Sequence, residues 1–490
     1  MIEDIADYVI VGTGAGGATA AHVLADAGHD VVMIEEGAFL KPEDRALGLA
    51  DAFAQSARDM GTLATSSRVP MPLLQGRCVG GSTAINSGIV WRLPDNVRAE
   101  LASRYQLSWL LEPNALDRIY SQLERDLEVA EVSEDIRGHN AALMERGAEA
   151  LQLPGRPMRR NAKRCKGRAR CLQGCPEGAR QSMDVSYVPR AQSRGARLHT
   201  GLRAERITFD GTRARSVVGR VLDRTGETLV RFRVAARRAV IVAAGAVWSP
   251  VLLRNSGIKR GVGDGFQAHP GVAVVGAFRE QVGMGFGATQ AYEVPLPHER
   301  MKLESIALPP ELLAARIPGA GEAWQARLRH LDRFAQWCAI IRMEARGTVR
   351  AGLPFGGPVR VSYEPTREDM KRVRNGVALI VQMMFAAGAE EVYPGVAGVP
   401  EILTRADQAE QILDERLGRG AFHLMASHHF ATAAAGADHK RAVVDEDLRC
   451  HDAQGLYVMD ASVLPENLGV NPQHTIMAAV FRAAERLAGA

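Results

Sequence analysis

Cysteine and excess charge are both scarce in this chain of 490 residues. Six cysteines over that length are too few for the disulfide framework that stabilises small secreted domains. The formal net charge is only +4, and the sequence contains no nucleic-acid-binding motif. We therefore expect a protein of a reducing compartment that has no nucleic-acid partner.

Long apolar runs are missing as well. The longest uncharged stretches are shorter than the roughly 18 apolar residues that a membrane-spanning helix needs. The acidic start of the chain leads directly into a predicted strand and shows no secretory signal. The sequence thus predicts a cytoplasmic protein without a transmembrane segment.

What the chain does contain is a strand, a glycine-rich turn, a helix and a second strand at residues 7–37, DYVIVGTGAGGATAAHVLADAGHDVVMIEEG. Gly12 permits the tight turn, Gly14 lets the backbone approach a pyrophosphate, and Gly17 lets the helix pack closely on the sheet. Glu35 ends the second strand, roughly 20 residues further on, where an acid binds ribose hydroxyls. The segment predicts a dinucleotide site, FAD or NAD; the alternative is a tight turn that binds nothing.

Three further motifs resemble, in the same order, those of the glucose-methanol-choline (GMC) oxidoreductases. GRCVGGSTAINSGIVWR at residues 76–92 resembles the first signature of the family. GAVWSPVLLRNSGI at residues 245–258 resembles the second, although Lys259 follows where the family has glycine. GLYVMDASVLPENLGVNPQHTIMAAVFRAAERL resembles the carboxyl-terminal flavin segment. The resemblance covers residues 7–490 and implies FAD as the cofactor.

The resemblance also implies which residues bind FAD. It assigns the pyrophosphate to the glycine motif and the adenosine ribose to Glu35. The remaining contacts that it implies are Arg77, Gly81, Ser82 and Asn86 beside the flavin, and Asp460 and Ala461 beside the ribitol and pyrophosphate. Family members with covalent flavin have a histidine at the position of Ile85. Because isoleucine cannot form that bond, we expect noncovalent FAD.

The implied fold is α/β with an α+β cap, in which a Rossmann-like FAD-binding domain carries a substrate-binding domain built on an antiparallel sheet. We assign the FAD-binding domain to residues 1–100, 190–270 and 436–490, a helical and cysteine-containing connection to 101–189, and the substrate-binding cap to 271–435. Residues 303–334 and 363–392 are similar to the long-chain alcohol oxidase branch of the family. Their periodicity alone indicates amphipathic helices and connections.

Two adjacent histidines occur in SHHFAT, residues 427–432. Adjacent side chains point in different directions on a regular backbone, so the two cannot share one role. The family pattern H-x-x-G-T aligns His428 with the catalytic base and His429 with a variable position, although Ala431 and Ala434 stand where the family has glycine and arginine. Histidine suits the role because its near-neutral pKa lets it take the hydroxyl proton as hydride leaves the carbinol carbon.

The second catalytic position lies in GVNPQHT, where the family has histidine or asparagine. Asn471 matches the asparagine form and can hydrogen-bond the substrate oxygen without competing for its proton. His474, three residues further on, is the alternative. His269 lies in a segment similar to a family turn near the flavin, and we interpret it as a structural residue because Pro270 suggests a rigid turn.

A cysteine-rich segment, CKGRARCLQGCPEGARQS, contains Cys165, Cys171 and Cys175. Some relatives have four cysteines here, in a spacing that ferredoxin-type clusters also use, but Arg168 occupies the second cysteine position. Reduced thiols are the preferred interpretation; an iron–sulfur cluster and a zinc site are the alternatives. We therefore assign no metal ligands.

These features predict FAD-dependent oxidation of an alcohol to an aldehyde or ketone, with hydride transfer to flavin N5 and with oxygen or another electron acceptor as oxidant. The branch resemblance favours a bulky or apolar alcohol. One alternative is a sugar or sterol dehydrogenase that passes electrons to a quinone or cytochrome. Another is a lyase of the hydroxynitrile lyase type, in which bound FAD stays redox-silent. The motifs leave the alcohol, the acceptor and the oligomeric state open.

Overall fold

The computed structural model describes residues 1–223, 226–352 and 359–489. The strands within these ranges are β1 (Ile2–Val11), β2 (Val31–Glu35), β3 (Val129–Glu131), β4 (Arg156–Pro157), β5 (Arg159–Asn161), β6 (Arg197–Thr200), β7 (Leu202–Asp210), β8 (Arg213–Leu222), β9 (Thr228–Val242), β10 (Asp264–Phe278), β11 (Tyr292–Leu296), β12 (Met301–Ser305), β13 (Phe334–Ile341), β14 (Gly347–Ala351), β15 (Val359–Ser362), β16 (Ala389–Tyr393), β17 (Leu424–Phe430) and β18 (Leu456–Val458). The α-helices are α1 (Ala15–Asp26), α2 (Leu49–Ser56), α3 (Asp95–Tyr105), α4 (Pro113–Asp126), α5 (His139–Ala150), α6 (Tyr187–Ser193), α7 (Gly245–Asn255), α8 (Pro310–Ala314), α9 (Gly321–Leu328), α10 (Arg367–Ala386) and α11 (Gln473–Ala488).

The first sheet has the strand order β6-β2-β1-β9-β8-β7, and β18 also pairs with β9. Strands β6, β2, β1, β9 and β18 are parallel, whereas β7, β8 and the first half of β9 form an antiparallel meander. A parallel sheet is covered on both faces, which explains why every residue of β2 is buried. The sheet therefore joins the beginning, the middle and the end of the chain.

Helix α1 packs against α6 and α11 beside this sheet. A Cβ atom on Gly17 would lie 2.0 Å from the Gly12 carbonyl oxygen, so only glycine allows the close packing at this turn. Gly28 follows the end of α1 with a φ of 84°, as expected for a glycine that terminates a helix. Within the described residues, no helix is both long and apolar enough to cross a membrane.

The second sheet is antiparallel and has the order β15-β14-β10-β13-β12-β11-β4, with β16 and β17 also paired to β10. Helix α10 covers one face of this sheet. The packing is close at Gly376, where a Cβ atom would lie 2.8 Å from the Ala339 side chain of β13. The alternate residues of β13, Gln336, Cys338 and Ile340, line a large cavity on the other face. This sheet therefore separates an apolar core from the candidate site.

The predicted fold class is confirmed: a Rossmann-like parallel sheet carries a second domain built on an antiparallel sheet.

Helix α10 begins with a capping box between Thr366 and Asp369. Strand β10 runs from Asp264 to Phe278 and so crosses residue 270, while β4 extends the second sheet from residues 156–157. The domain boundaries given by sequence stay a prediction.

Candidate active site

One cavity of about 1080 Å³ lies where the carboxyl ends of the parallel strands meet the antiparallel sheet. The parallel strands contribute residues just at or after their ends, such as Gly12 after β1 and Glu35 at the end of β2. The antiparallel sheet contributes side chains from β10, β12, β13 and β17. Ligands of open α/β sheets bind at such carboxyl ends, so the fold itself points to this cavity.

The glycine turn of residues 12–17 forms one wall. Gly12 has a φ of 101°, and a Cβ atom there would lie 2.3 Å from the Ala243 carbonyl oxygen. A Cβ atom on Gly14 would meet nothing within 4 Å among the described atoms, because Gly14 faces the open cavity at the amino terminus of α1. The partial positive charge of a helix amino terminus favours an anion at this point.

Glu35 is a buried acid in the same wall. Its carboxylate accepts hydrogen bonds from the Thr13 amide (3.1 Å), the Thr13 hydroxyl (2.7 Å) and the Gly37 amide (3.0 Å). Burial raises the pKa of Glu35, and these hydrogen bonds offset only part of that effect. The Thr13 hydroxyl also accepts a bond from the Gly80 amide at 3.1 Å, so it joins the acid to the signature loop of residues 76–92.

The signature loop packs directly on the glycine turn. A Cβ atom on Gly81 would lie 3.1 Å from the Gly14 Cα, so the two backbones meet at the cavity. Ser82 and Asn86 also line the cavity, and the Asn86 amide donates to the Gln473 side chain at 2.8 Å. Ile85 lies in the wall as well. Three of the four residues that the resemblance assigned to flavin from this loop, Gly81, Ser82 and Asn86, therefore line one cavity.

Arg77 and Gly17 do not line the cavity. The Arg77 amide donates to the Ser56 carbonyl at 2.7 Å, and its charge lowers the pKa of Glu36, an effect smaller than that of the Arg58 charge. Gly17 lies behind the turn, against Gly12. Both residues therefore lie behind the cavity wall and contact the segments that form it.

Asp460 and Ala461 border the cavity after β18. The Asp460 carboxylate accepts bonds from the Ser249 hydroxyl (2.5 Å), the Gly245 amide (2.8 Å) and the Ser462 amide (2.8 Å). Burial raises its pKa, and the donors offset that effect in part. Because protein donors already surround the carboxylate, its main effect is to hold the start of α7 against the carboxyl-terminal segment.

His428 lies in the cavity wall on β17. Its Nδ1 atom is 3.3 Å from Nδ1 of His269 on β10, and the two ring centroids are 5.4 Å apart. Burial lowers the pKa of His428 to about 3, and the charge of Lys302 contributes to this shift. His428 is therefore a neutral ring at physiological pH, with a pKa below the near-neutral range expected from the sequence.

His269 does not lie in a rigid turn. Strand β10 continues through Pro270, and its register with β17 shifts between Ala268 and Pro270. A bulge accommodates the missing proline N–H, so our interpretation of the turn was wrong. Burial holds the pKa of His269 well below its usual value, and the charge of the neighbouring His428 is the second-largest contribution in the same direction.

His429 points away from His428, as expected for neighbours on a strand. Its ring stacks on Phe266, with centroids 5.8 Å apart and an interplanar angle of 27°. Burial lowers its pKa to about 4. Its position in an aromatic cluster indicates a packing role, although it also borders the cavity.

Asn471 lies in the cavity wall, and His474 does not. The Asn471 carbonyl oxygen Oδ1 accepts a hydrogen bond from Nζ of Lys302. This bond fixes the amide orientation, so the Asn471 NH₂ group is the part left free to donate. His474 is fully buried, and neither ring nitrogen has a hydrogen-bond partner among the described residues.

The sequence analysis missed a buried ionic cluster behind Asn471. Lys302 Nζ lies 2.5 Å from a Glu304 carboxylate oxygen and 3.2 Å from one of Glu293, and each of the three side chains is at most 3% exposed. Burial by itself would lower the pKa of Lys302, but the two carboxylates more than offset this and raise it. The available signal was the alternation in MKLES, which puts Lys302 and Glu304 on one face of a strand.

The three cysteines of residues 165–175 border a separate cavity of about 20 Å³. In the described part of the chain, no set of three or more His, Cys, Asp or Glu side chains is arranged to hold a metal ion. Burial would raise the pKa of Cys171, but the charges of Arg160 and Arg180 outweigh it and lower the pKa. Arg180 also donates to the carbonyl groups of Ala84 and Asn86, which ties the cysteine segment to the signature loop.

The cavity fits FAD on its own features. It has an open backbone cradle at the amino terminus of a helix, a buried acid for ribose hydroxyls, and a volume just above the roughly 300–1,000 Å³ typical of ligand sites. The histidines and Asn471 lie in the same space as these features. The site can thus hold a dinucleotide with a second, smaller molecule beside a neutral imidazole.

Comparisons with known proteins identify the family of this chain. Residues 6–271 and 344–479 match the amino- and carboxyl-terminal parts of the GMC oxidoreductase family, to which this chain belongs. An uncharacterized GMC-type oxidoreductase of Sinorhizobium fredii is 33% identical over 98% of this chain and 94% of its own length. A long-chain-alcohol oxidase of Arabidopsis thaliana is 26% identical over 97% of this chain and 66% of its own length.

The fold of a solved structure is also similar. A solved structure of formate oxidase from Aspergillus oryzae superimposes on this chain with a TM-score of 0.75 at 16% identity. The superposition covers 99% of this chain and 98% of the formate oxidase chain. GMC oxidoreductases bind FAD, and the protein is an oxidoreductase of this flavoprotein class.

Proposed function

We propose that this protein oxidises an alcohol to an aldehyde or ketone, with noncovalently bound FAD, His428 as the base and Asn471 as the group that orients the hydroxyl oxygen. The observation that carries the proposal is that His428 and Asn471 both line the cavity that the glycine turn, Glu35 and the signature loop also border. Bound FAD would supply an acceptor for the carbinol hydride. The name of the long-chain-alcohol oxidase relative supports an alcohol as substrate.

His428 is arranged to take a proton. Two neutral rings share one proton across the 3.3 Å contact, so one nitrogen donates and the other accepts. When His428 Nδ1–H donates to His269, the lone pair on His428 Nε2 is free to accept the hydroxyl proton. Burial and the Lys302 charge keep His428 neutral before the substrate arrives, and the same two effects oppose the positive charge that the ring gains when it takes the proton.

Asn471 is arranged to donate. Lys302 occupies the carbonyl end of the amide, so the NH₂ group can donate to the alcohol oxygen and hold it beside His428. A fixed donor also stabilises negative charge that develops on the oxygen as its proton leaves. The two residues therefore position one oxygen and remove its proton.

The cap wall favours a bulky or apolar alcohol. Apolar residues of this part of the chain line the cavity, among them Ile306, Leu308, Leu312, Phe422 and Leu424. Burial of such a surface against an alkyl chain contributes roughly 25 cal/mol per Å². Oxygen or another small acceptor would reoxidise the flavin. A cytoplasmic location belongs to the same proposal and is supported by the six free cysteines.

Anaerobic mixing of the purified holoprotein with short, long and branched alcohols tests the proposal. Loss of the visible absorbance of oxidised flavin, with formation of one aldehyde or ketone per flavin, is the expected result. An unchanged spectrum with every alcohol, together with cleavage of a hydroxynitrile, would instead favour a redox-silent lyase.

A further inference from the structure

A cationic side chain from the predicted cap, residues 271–435, lines the cavity. Arg316 follows α8, between the buried anchors Leu313 and Ile317. Its Nη2 donates to the Ala273 carbonyl of β10 at 2.5 Å. Its Nε is buried and has no hydrogen-bond partner among the described residues. Among the described residues, the guanidinium therefore makes one hydrogen bond, to a backbone carbonyl.

Arg316 also lacks a counter-ion. Across the described ranges of the chain, no carboxylate forms an ion pair with it, whereas Arg58 in the same cavity pairs with Glu36 at 2.7 Å. Burial lowers the pKa of Arg316, and no neighbouring charge opposes that shift. Glu304, which also lines the cavity, already pairs with Lys302. Arg316 is only partly exposed, and a cation withdrawn in part from water is stabilised by an anionic partner, which a ligand in the cavity can supply.

Strand β10 sets the distance between this cation and the reaction centre. His269, which contacts His428, and Ala273, which binds Arg316, both line the cavity. They are four residues apart on the strand, which corresponds to roughly 13 Å at about 3.3 Å per residue. An extended chain on the order of ten bonds of about 1.5 Å each would connect the two points. The wall between them includes the apolar side chain of Ile340.

We propose that the substrate is an alcohol that carries an oxyanion, a carboxylate or a phosphate, at its far end, and that Arg316 binds this oxyanion. The proposal rests on the proposed function and names its substrate class. An arginine fork donates two parallel hydrogen bonds to either group. The apolar wall would then hold the chain between a charged end at Arg316 and a hydroxyl end at His428.

Two measurements on the holoprotein test this inference. The first is calorimetric binding of decanoate and of decyl phosphate, which contain no hydroxyl to oxidise. The second is the concentration dependence of anaerobic flavin reduction by ω-hydroxydecanoate and by decanol. Each is made for the wild type, Arg316→Met, Arg316→Lys and Arg329→Met. Arg329 is a matched control, because it is an exposed arginine of the same cap segment outside the cavity.

We expect Arg316→Met to weaken binding of the anionic probes by about 10- to 100-fold, the range for one charge-assisted hydrogen-bonded contact. Arg316→Lys should lose less, because it keeps the charge, and Arg329→Met should match the wild type. Half-saturation by ω-hydroxydecanoate should rise in Arg316→Met relative to half-saturation by decanol, and Arg329→Met should match the wild type with both alcohols. The tighter of the two probes identifies the oxyanion, and either result supports the proposal.

Equal binding of both probes by the wild type and Arg316→Met would overturn the inference, as would their failure to bind the wild type. In both cases decanol can still reduce the flavin, and the proposed function would stand. If no alcohol reduces the flavin, the proposed function fails, while the calorimetry still decides whether Arg316 binds an oxyanion. Should Arg316→Met not fold, the comparison of Arg316→Lys with the wild type decides.

Discussion

Replacement of Lys302 by methionine should separate the electrostatic and positioning effects of the buried cluster. Glu293 and Glu304 face each other directly on β11 and β12, and Lys302 lies between their carboxylates. In Lys302→Met, Glu293 keeps its ion pair with Arg156 at 3.1 Å. Glu304 keeps only the neutral Gln290 amide among the described residues, so it becomes a buried charge without a counter-ion.

Loss of one partner from a buried ion pair costs about 3–5 kcal/mol. We expect Lys302→Met to lower the free energy of unfolding by that amount in urea denaturation. The double variant Lys302→Met/Glu304→Gln removes both charges and should recover most of the loss, because an isosteric neutral pair is often tolerated. Glu391→Gln, on a partly exposed carboxylate of β16 that bonds only Tyr393 among the described residues, is a control for the loss of a negative charge.

The rate of flavin reduction should not recover in parallel. Without Lys302, the Asn471 amide is free to rotate, and misplacement of a positioning group by about 1 Å can cost on the order of 100-fold in rate. The double variant should therefore be stable and still slow. A Lys302→Met protein with wild-type stability and a wild-type reduction rate would refute this account of the cluster.

Three further predictions address the cofactor, the cysteines and acid stability. Acid precipitation should release FAD into the supernatant, because Ile85 cannot form a covalent bond to flavin; flavin that stays on the pelleted chain would contradict this. Protein purified anaerobically should contain no stoichiometric iron or sulfide, and iron in fixed proportion to the chain would restore the cluster alternative. Burial lowers the pKa of His474 from 6.5 to about 4, so the unfolded chain binds more protons than the folded protein between these pH values. The free energy of unfolding should therefore decrease as the pH is lowered through that window, by up to about 1.4 kcal/mol per pH unit for each such histidine. His474→Leu should flatten the acid side of a plot of Tm against pH, and an unchanged slope would show that His474 does not contribute.

The sequence was most informative where one backbone geometry is obligatory. Only glycine fits at Gly12 and Gly17, since a Cβ atom would lie 2.3 Å and 2.0 Å from backbone oxygens. The glycine motif therefore predicted β1, α1 and β2, and the sheet confirms these elements. The strand geometry of SHHFAT likewise separates His428 from His429. Local steric rules of this kind leave a clear record in sequence.

Contacts that depend on sheet register were not predictable in this way. Lys302 reaches Asn471 across 169 positions of the chain, and His428 reaches His269 across 159. Neither pair has a spacing rule: the pairing of β10 with β17 brings His269 and His428 together only in the folded protein, and Lys302 on β12 meets Asn471 of the segment before α11 only there as well. Pro270 was misleading for a related reason: a bulge in β10 accommodates the proline, and bulges have no fixed sequence pattern.

The comparison of His428→Ala with His429→Ala in anaerobic flavin reduction tests the central claim most directly. A positioned general base contributes about 10²–10⁴-fold in rate, so His428→Ala should slow reduction by that factor while FAD stays bound. His429→Ala should cost far less, because its ring stacks on Phe266. With the pKa of His428 at about 3, the wild-type rate should be constant from neutral to alkaline pH and fall only in acid, as the ring becomes protonated. A larger loss in His429→Ala than in His428→Ala would contradict the assignment of the base.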